Sequence, residues 1–488
     1  MANRKLVIIG GGLAGLSAGC YALRNDYQTT IVEHNVALGG VCTAWERPPY
    51  LIDGCIHWLT GGPFQRFYEE LEILPAVGLR VLKHWSTYRD ARDGFECAFQ
   101  ANLDALFRQL TAIAPEDSRE LERLRDGARD FKNVAPPAQP AELMSLSDGV
   151  RMMWGMRGLA STYLHFRKPI DEWAREHLHN WRLQRMFTRM FPPGVPALFL
   201  LMVLGYLEQG HLSRPIGGTA AFRDALIASY RRRGGEERVH TTVDEILVRG
   251  DRVRGVRFAD GSELEADLVI STASAPETVL RLLGGSYEAA ATRERLAKWS
   301  LVDPIVLASF GVENSYEGFP GLMNIDRLEH FEAGGRSCET MYLRVCNDDP
   351  CYAPVGHSVV QALVPTDYDW WAMRGTRYNA EKDAIAAAIL TQLEPHFAGI
   401  RSAVRVIDVS TPLTFWGRSR AWRGAYEGWI PSRDDLYAHV HKKLGGLHGL
   451  YMAGQWVEPG GGVPMAIMSG RQAVELVCHD AEEPFVTD

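Results

Sequence analysis

The sequence predicts an α/β protein in which a doubly wound domain, interrupted by a β-meander, is joined to a second domain of mixed α+β structure. Three observations predict this fold. A short apolar run near the N-terminus leads into a glycine-rich turn and a helix. Alternating apolar and polar residues in the middle of the chain indicate a meander, and a second strand, glycine-rich loop and helix close the sequence.

The N-terminal segment has the pattern of a dinucleotide-binding turn. Residues 6–9 are a β-branched run typical of a buried parallel strand. Gly10, Gly12 and Gly15 follow in G-x-G-x-x-G spacing, which permits a tight turn, close approach of the backbone to a diphosphate and close packing of helix on strand. Residues 13–23 have helical spacing, so free N–H groups at the start of this helix would face the phosphates. This unit predicts a Rossmann-like domain.

A second strand and an acidic residue strengthen this interpretation. Residues 29–32 form the strand, and Glu33 lies about twenty residues beyond the glycines, where a carboxylate accepts hydrogen bonds from a ribose diol. A plain β-α-β unit is the alternative, but it would not require glycine at all three positions. A second glycine pair, Gly39 and Gly40, follows, and a hairpin ending at Asp53 is expected after it.

Composition excludes several classes of protein. The 488 residues are enough for two or three domains, and the net charge of −8 gives no basic excess for binding nucleic acid. The eight cysteines form no C-x-x-C pair, so neither a metal site nor a disulfide framework is indicated. A reducing, cytoplasmic compartment fits this cysteine usage.

No apolar stretch reaches the length of a transmembrane helix. Residues 150–173 mix methionine, tryptophan, leucine and tyrosine with several basic residues. Such a segment is either an interfacial helix that makes peripheral contact with a membrane or an amphipathic helix that packs on its own core. The sequence leaves these two alternatives open.

The middle and the end of the chain supply the other elements. Residues 243–248, 253–258 and 264–270 read as three alternating strands of a meander. Aromatic clusters between residues 301 and 430 are explained either by core packing or by an apolar substrate tunnel. Near the C-terminus, residues 450–453 read as a buried strand, followed by a glycine-rich loop and a helix from about Met465.

Together these segments resemble the flavin-binding motifs of large two-domain flavoproteins. The first is similar to their N-terminal FAD motif, "DGSELEADLVISTAS" to their middle motif, and "GLYMAGQWVEPGGGVPMAIMSGRQA" to their C-terminal motif. Among these flavoproteins, the motifs are most similar to those of the family of phytoene desaturases, carotenoid isomerases and retinol saturases. The segments "DGCIHW", "VPALFLLMVLGYLEQG" and "GAYEGW" also resemble segments of that family. The resemblance runs through the whole chain in segments.

The resemblance implies an FAD cofactor and a discontinuous domain arrangement. Residues 1–62, 212–285 and 431–488 would form the FAD-binding domain, and residues 63–211 and 286–430 the substrate-binding domain. The residues implied to bind FAD are Gly10, Gly12, Leu13, Ala14, Gly15, Glu33, His34, Gly39, Gly40, Val41, Val243, Gly454, Gly461, Gly462, Val463 and Met465. Val41 departs from the pattern, because many relatives carry arginine there, where it meets cofactor phosphate.

The implied reaction is desaturation, saturation or isomerisation at a C–C or C=C bond of an elongated lipophilic substrate, such as a polyene or isoprenoid. No second G-x-G-x-x-G motif follows a strand, so a nicotinamide domain is not expected and the electron partner is unassigned. His57, Glu427 and Glu458 are the candidate catalytic residues. For each of them a structural or surface role is the alternative.

Two other functions agree with the same motifs. A flavin amine oxidase has a related FAD domain and uses aromatic walls as well. A non-catalytic FAD-binding or lipid-carrier protein would also bind flavin, although carriage alone does not need a helix aimed at the flavin ring.

Overall fold

The computed structural model describes residues 4–155, 157–430 and 440–487. Its strands are β1 Lys5–Ile9, β2 Gln28–Val32, β3 Ala44–Arg47, β4 Tyr50–Asp53, β5 Leu59–Thr60, β6 Leu79–Val81, β7 His84–Asp90, β8 Glu96–Gln100, β9 Leu212–Pro215, β10 Glu236–Arg238, β11 Val243–Arg249, β12 Arg252–Phe258, β13 Glu263–Glu265, β14 Leu268–Ser271, β15 Ile305–Val312, β16 Leu322–Asp326, β17 Phe331–Glu332, β18 Ser337–Cys338, β19 Met341–Cys346, β20 Ser358–Pro365, β21 Val404–Ser410 and β22 Leu450–Met452.

The α-helices are α1 Leu13–Arg24, α2 Gln65–Glu70, α3 Leu103–Ile113, α4 Ser118–Phe131, α5 Leu146–Gly155, α6 Ala160–Phe166, α7 Ile170–His177, α8 Trp181–Thr188, α9 Ala197–Glu208, α10 Gly218–Arg232, α11 Ala289–Lys298, α12 Tyr368–Ala372, α13 Tyr378–Leu393, α14 Ile400–Ala403, α15 Pro412–Ser419 and α16 Gly462–Asp480. A π-helical segment spans Glu277–Leu282. Among the described residues no helix is both long and apolar enough to cross a bilayer.

A five-stranded parallel sheet forms the first half of the molecule. Its strand order is β10-β2-β1-β14-β22, so strands from three distant parts of the chain lie side by side. The central strands β1 and β14 are almost wholly apolar and buried, as expected for parallel strands covered on both faces. The α/β fold class predicted from the sequence is confirmed.

The meander differs from its prediction at the third strand. β11, β12 and β13 form an antiparallel sheet, but β13 ends at residue 265, and the rest of the predicted strand is β14 of the parallel sheet. The reason lies in the residue pattern. Alternation ends after Asp267, and the four residues of β14 are all buried, which suits a central parallel strand and not a half-exposed one.

A seven-stranded mixed sheet forms the second half. Its order is β21-β15-β20-β19-β16-β7-β8, and β15 and β20 are fully or almost fully buried along their length. β7 and β8 come from the segment before the meander, whereas the other five strands come after it. Helices α3, α4 and α6 to α9 pack together beside this sheet and carry much of the largest apolar cluster.

Helices α1 and α16 cross at very short range. A Cβ on Gly470 would lie 2.4 Å from the carbonyl oxygen of Ala14, so only glycine permits this approach. The Ser17 hydroxyl donates a hydrogen bond to the carbonyl of Ile467 at 2.7 Å. As a result, the N-terminal ends of both helices open on the same cavity.

Candidate active site

One large cavity, with a volume of about 1460 Å³, lies between the two halves. Its wall includes residues of both large sheets, of the glycine-rich turns and of helices α8 and α9. The predicted cofactor and catalytic residues that line it are Gly10, Gly12, Leu13, Ala14, Glu33, His34, Gly39, Gly40, Val41, His57, Val243, Glu427, Gly454, Glu458, Gly461, Gly462, Val463 and Met465. Gly15 is not in the wall. A Cβ there would lie 2.0 Å from the Gly10 carbonyl oxygen, so Gly15 acts through helix–strand packing.

Two glycine turns meet at the N-terminus of α1. The Gly39 N–H donates to the Gly11 carbonyl at 2.8 Å, and a Cβ on Gly40 would lie 3.0 Å from the Gly12 Cα. Gly12 caps α1 without a side-chain hydrogen bond, so the N–H groups of the first turn stay available. The turns therefore form an anion cradle made of backbone.

Glu33 is a buried carboxylate beside this cradle. It accepts hydrogen bonds from the Gly11 N–H at 2.8 Å and the Asn35 N–H at 2.9 Å. Burial alone raises its pKa, but hydrogen bonds from His34, Asn35 and Gly11 outweigh burial, so the pKa lies below its usual range. Glu33 is thus an ionised acceptor in the position expected for a ribose-binding acid.

A second cradle forms where α16 begins. Gly461 and Gly462 have φ angles of +56° and +84°, and Gly461 caps the helix without a side-chain hydrogen bond. The Gly454 N–H donates to the Ser469 hydroxyl at 2.7 Å, which ties the preceding loop to this helix. Two helix N-termini and a buried carboxylate along one cavity fit an elongated, anionic dinucleotide whose ring system accepts electrons.

His57 faces the cavity as a neutral imidazole. Burial lowers its pKa to about 3, and the nearby Arg344 guanidinium contributes to the shift. Its ring stacks on Tyr342 with centroids 5.9 Å apart. At neutral pH the imidazole can polarise a bound group through hydrogen bonding. It is not protonated to imidazolium, so it does not act as a cationic proton donor.

Glu427 is an acid of the cavity wall that has no partner among the described residues. It makes no ion pair and no side-chain hydrogen bond with any residue of the described ranges. Burial raises the pKa of its carboxyl group to about 7. Near neutral pH this group therefore takes up or releases a proton, as an acid–base catalyst must.

Glu458 lies in the same wall in a different setting. Its carboxylate pairs with the ammonium group of Lys442, which is wholly buried. The Lys442 N–H also donates to Glu142 at 2.6 Å. Because Lys442 has no other carboxylate within ion-pair distance in the described structure, this contact gives Glu458 a structural task as the counter-ion of a buried cation.

Sequence reasoning missed part of the cavity wall. The proline-rich segment at residues 135–143, predicted to be a loop or linker, places Pro136, Pro137 and Gln139 in the wall. Arg418 and Arg420, at the end of α15, line it as well. No local pattern marks these residues, because only the chain's tertiary path brings them to the cofactor cradle.

A buried ion pair holds the hairpin of β3 and β4 against the seven-stranded sheet. Asp53 Oδ1 lies 3.1 Å from Arg344 Nη1, and both side chains are at most 2% exposed. Thr219 donates to Asp53 through its N–H at 2.9 Å and its hydroxyl at 2.5 Å. The Tyr352 hydroxyl also donates to Asp53, at 3.2 Å. Burial raises the pKa of Asp53, but Arg344 and these hydrogen bonds outweigh it and hold the value at about 2.

Comparison with known proteins agrees with this geometry. The family model described as flavin containing amine oxidoreductase matches residues 13–478. A neurosporene-forming phytoene desaturase from Rhodobacter capsulatus is 25% identical over 98% of this chain and 95% of its own length. An oxidoreductase from Methanosarcina mazei, whose crystal structure is known, superposes with a TM-score of 0.63 at 17% identity, over 96% of this chain and 100% of that one. Cyclohexylamine oxidase from Brevibacterium oxydans gives 0.62 at 16% identity, over 99% and 100%.

The fold and the site therefore define an FAD-dependent oxidoreductase. The chain belongs to the family of flavin-containing amine oxidoreductases. The predictions of FAD as cofactor and of an oxidoreductase are confirmed, as is the similarity to phytoene desaturases.

Removing the Asp53 carboxylate tests the buried ion pair. In Asp53→Ala, Arg344 keeps a buried charge without its partner, so we expect the free energy of unfolding to fall by about 3–5 kcal/mol. The double variant Asp53→Leu with Arg344→Met removes both charges and should regain most of that loss. Chemical denaturation measures both. Folding lowers the pKa of Asp53 from 3.8 to about 2. The stabilisation by this carboxylate is therefore complete above pH 3.8 and is lost as the pH falls through about 2. A double variant no more stable than Asp53→Ala would contradict this account.

Proposed function

We propose that this oxidoreductase acts on C–C or C=C bonds of an elongated lipophilic substrate, a polyene or isoprenoid, by desaturation, saturation or isomerisation. The observation that carries the proposal is the apolar, aromatic part of the cavity beyond the glycine cradles. The names of the curated relatives, which include phytoene desaturases, support the same substrate class.

The aromatic wall is continuous. Trp58 and Trp85 pack edge to face at 6.2 Å, and Trp85 stacks on Phe191 at 5.4 Å. Phe199 contacts both Trp58 at 6.5 Å and Phe191 at 5.1 Å. Pockets for small ligands usually measure about 300–1,000 Å³, so a cavity of 1460 Å³ has room for a cofactor and a long second ligand.

Charge in the wall favours a hydrocarbon over an ammonium group. Apart from Glu427, every acid of the described wall is paired with a basic side chain: Glu33 with His34, Asp171 with Arg175, Glu277 with Arg281, Asp303 with Arg336, Glu339 with Arg185, and Glu458 with Lys442. The raised pKa of Glu427 shows that its surroundings disfavour charge. Such a wall solvates an apolar chain and offers little to a cation.

The side chains divide the work of the reaction. FAD, when bound, supplies the acceptor or donor of a hydride. Glu427 takes or gives the proton that accompanies hydride transfer, since its pKa of about 7 suits either direction. His57 and Tyr342 orient the reacting bond, because both line the cavity and their stacking holds the two rings in place. The aromatic wall excludes water and holds the chain extended.

An exposed apolar stripe supports peripheral contact with a membrane. Leu146, Val150 and Trp154 lie four residues apart on α5, so they share one helix face, and their exposures are 93%, 58% and 69%. Arg157 lies over the Trp154 ring at 4.6 Å. Met144, two residues before this helix, lines the cavity. We propose that this face rests on lipid and that substrate enters near Met144.

The substrate proposal is tested with the purified holoenzyme under anaerobic conditions. Vesicles containing phytoene, or its conjugated products, are mixed with oxidised or chemically reduced enzyme. We expect the conjugation or geometry of the hydrocarbon to change, which its absorption spectrum and chromatography report. In the direction of desaturation, the oxidised-flavin absorbance should bleach at the same time. If amines bleach the flavin absorbance, while hydrocarbons neither bleach it nor change in conjugation or geometry, the amine oxidase alternative is established instead.

Glu427→Gln tests the proton-transfer role. The substitution keeps size and removes titration, so we expect kcat to fall by about 10²-fold or more. In the desaturating direction the wild-type rate should rise with pH through about 7, because the carboxylate accepts the proton, and the variant should lose this rise. Asp171→Asn, which alters another acid of the wall, is the matched control and should keep it. A variant with an unchanged pH profile would remove Glu427 from the reaction.

Trp154→Glu tests the membrane face. Flotation with vesicles of anionic phospholipid should recover the wild type and a smaller fraction of the variant, because a charge replaces an apolar anchor. Val355→Glu is the matched control, since Val355 is 99% exposed and lies outside the α5 face. Equal flotation of all three proteins would contradict the assignment of this face.

A further inference from the structure

The second glycine turn carries no cationic side chain of its own. Gly39 and Gly40 have positive φ angles and line the cavity beside the N-terminus of α1. The next residue, Val41, also lines the cavity but carries no charge. Backbone N–H groups alone would therefore face a diphosphate that bears two negative charges.

Two arginines from distant elements converge on this turn. Arg223 of α10 and Arg418 of α15 each place a terminal guanidinium nitrogen, Nη1, 3.4 Å from the Thr43 hydroxyl oxygen. The stem of Arg223 packs on Gly39, since a Cβ there would lie 2.6 Å from the Arg223 Cδ. The two cations therefore lie close together at Thr43, just after the glycine turn, and of the two only Arg418 is part of the cavity wall.

These two charges have few partners in the described structure. Arg418 makes no ion pair with a described residue, although its guanidinium carbon lies 5.1 Å from the centroid of the Trp45 ring. The Asp408 carboxylate attracts the Arg418 guanidinium electrostatically, but its ion pair is with Arg47, at 2.7 Å. Arg223 pairs only with its neighbour in the chain, Asp224, whose side chain is 61% exposed. Two like charges held together in this way are stabilised by an anion between them.

The last turn of α15, which carries Arg418, is fixed at the nucleotide end of the cavity. His34 Nε2 lies 2.9 Å from the Gly417 carbonyl oxygen, and Asn35 donates to the Arg418 carbonyl. Both residues directly follow Glu33, the acid expected at the ribose. Arg418 itself lines the cavity. Arg418 thus has its backbone beside the ribose acid and its guanidinium at Thr43, just after the second glycine turn.

We propose that Arg418, assisted by Arg223, binds the diphosphate of FAD and replaces the cation that Val41 does not supply. Arginine suits this task, because its planar fork can donate two parallel hydrogen bonds to one phosphate. The proposal rests on FAD as cofactor and not on the identity of the substrate. It makes cofactor retention depend on a residue almost four hundred positions from the glycine turn.

The test is the rate at which purified holoenzyme releases FAD after dilution, followed by the gain in flavin fluorescence. We expect Arg418→Gln to release FAD about 10- to 100-fold faster than wild type, because a charge-assisted contact is lost. Arg418→Lys should lie between the two. Adding KCl should accelerate release from wild type more than from Arg418→Gln. Arg405→Gln, at an exposed arginine paired with Glu313 outside the cavity wall, is the control and should match wild type.

A rescue variant separates diphosphate binding from a merely structural role. Val41→Arg, made together with Arg418→Gln, restores a cation at the glycine turn and should return slow release of FAD. Thermal unfolding of each variant shows whether it is folded. Release from Arg418→Gln at the wild-type rate, or a folded double variant that still releases FAD as fast as Arg418→Gln, would overturn the proposal.

Discussion

The architecture of the site depends on the buried ion pair between Asp53 and Arg344. Asp53 ends the hairpin that follows the glycine turns, whereas Arg344 lies in β19 of the seven-stranded sheet. Gln361 of the same sheet donates to the Asp53 carbonyl at 2.9 Å, so side chain and backbone are both held. Since two buried charges tolerate little displacement, the hairpin, His57 and the cavity wall at Tyr342 keep one relative position.

The cavity itself follows from close backbone approach. Gly470 lets α16 cross α1, and the contact between Gly12 and Gly40 lets two turns meet, so two helix N-termini open toward one space. The positive ends of these helices favour an anionic cofactor, while the aromatic wall beyond them favours an apolar ligand. One cavity thus has a polar region that suits the nucleotide and an apolar region lined by aromatic side chains. The titrating Glu427 and the neutral His57 both face it.

Local patterns were informative where the chemistry is local. Gly10 to Glu33 form one continuous β-α-β unit, so spacing alone predicted the strand, the helix and the acid. The prediction of the third meander strand was wrong, because residues 264–270 belong to two different sheets. Hydrophobic alternation does not show where the chain leaves one sheet for the other. Glu427 and Glu458 look alike in sequence. Only the fold pairs Glu458 with Lys442 and leaves Glu427 facing the cavity without a described partner.

The sequence by itself determined the fold class, the cofactor and the glycine turns, because a dinucleotide cradle is made of backbone, and glycine is the residue that permits its φ angles and short contacts. The tertiary structure decided the rest. It set the protonation of Glu427 and His57 through burial, brought Arg418 to Thr43 just after the second glycine turn, and placed a proline-rich segment in the cavity wall. These properties depend on desolvation and on contacts between residues hundreds of positions apart, and local sequence spacing predicts neither of them.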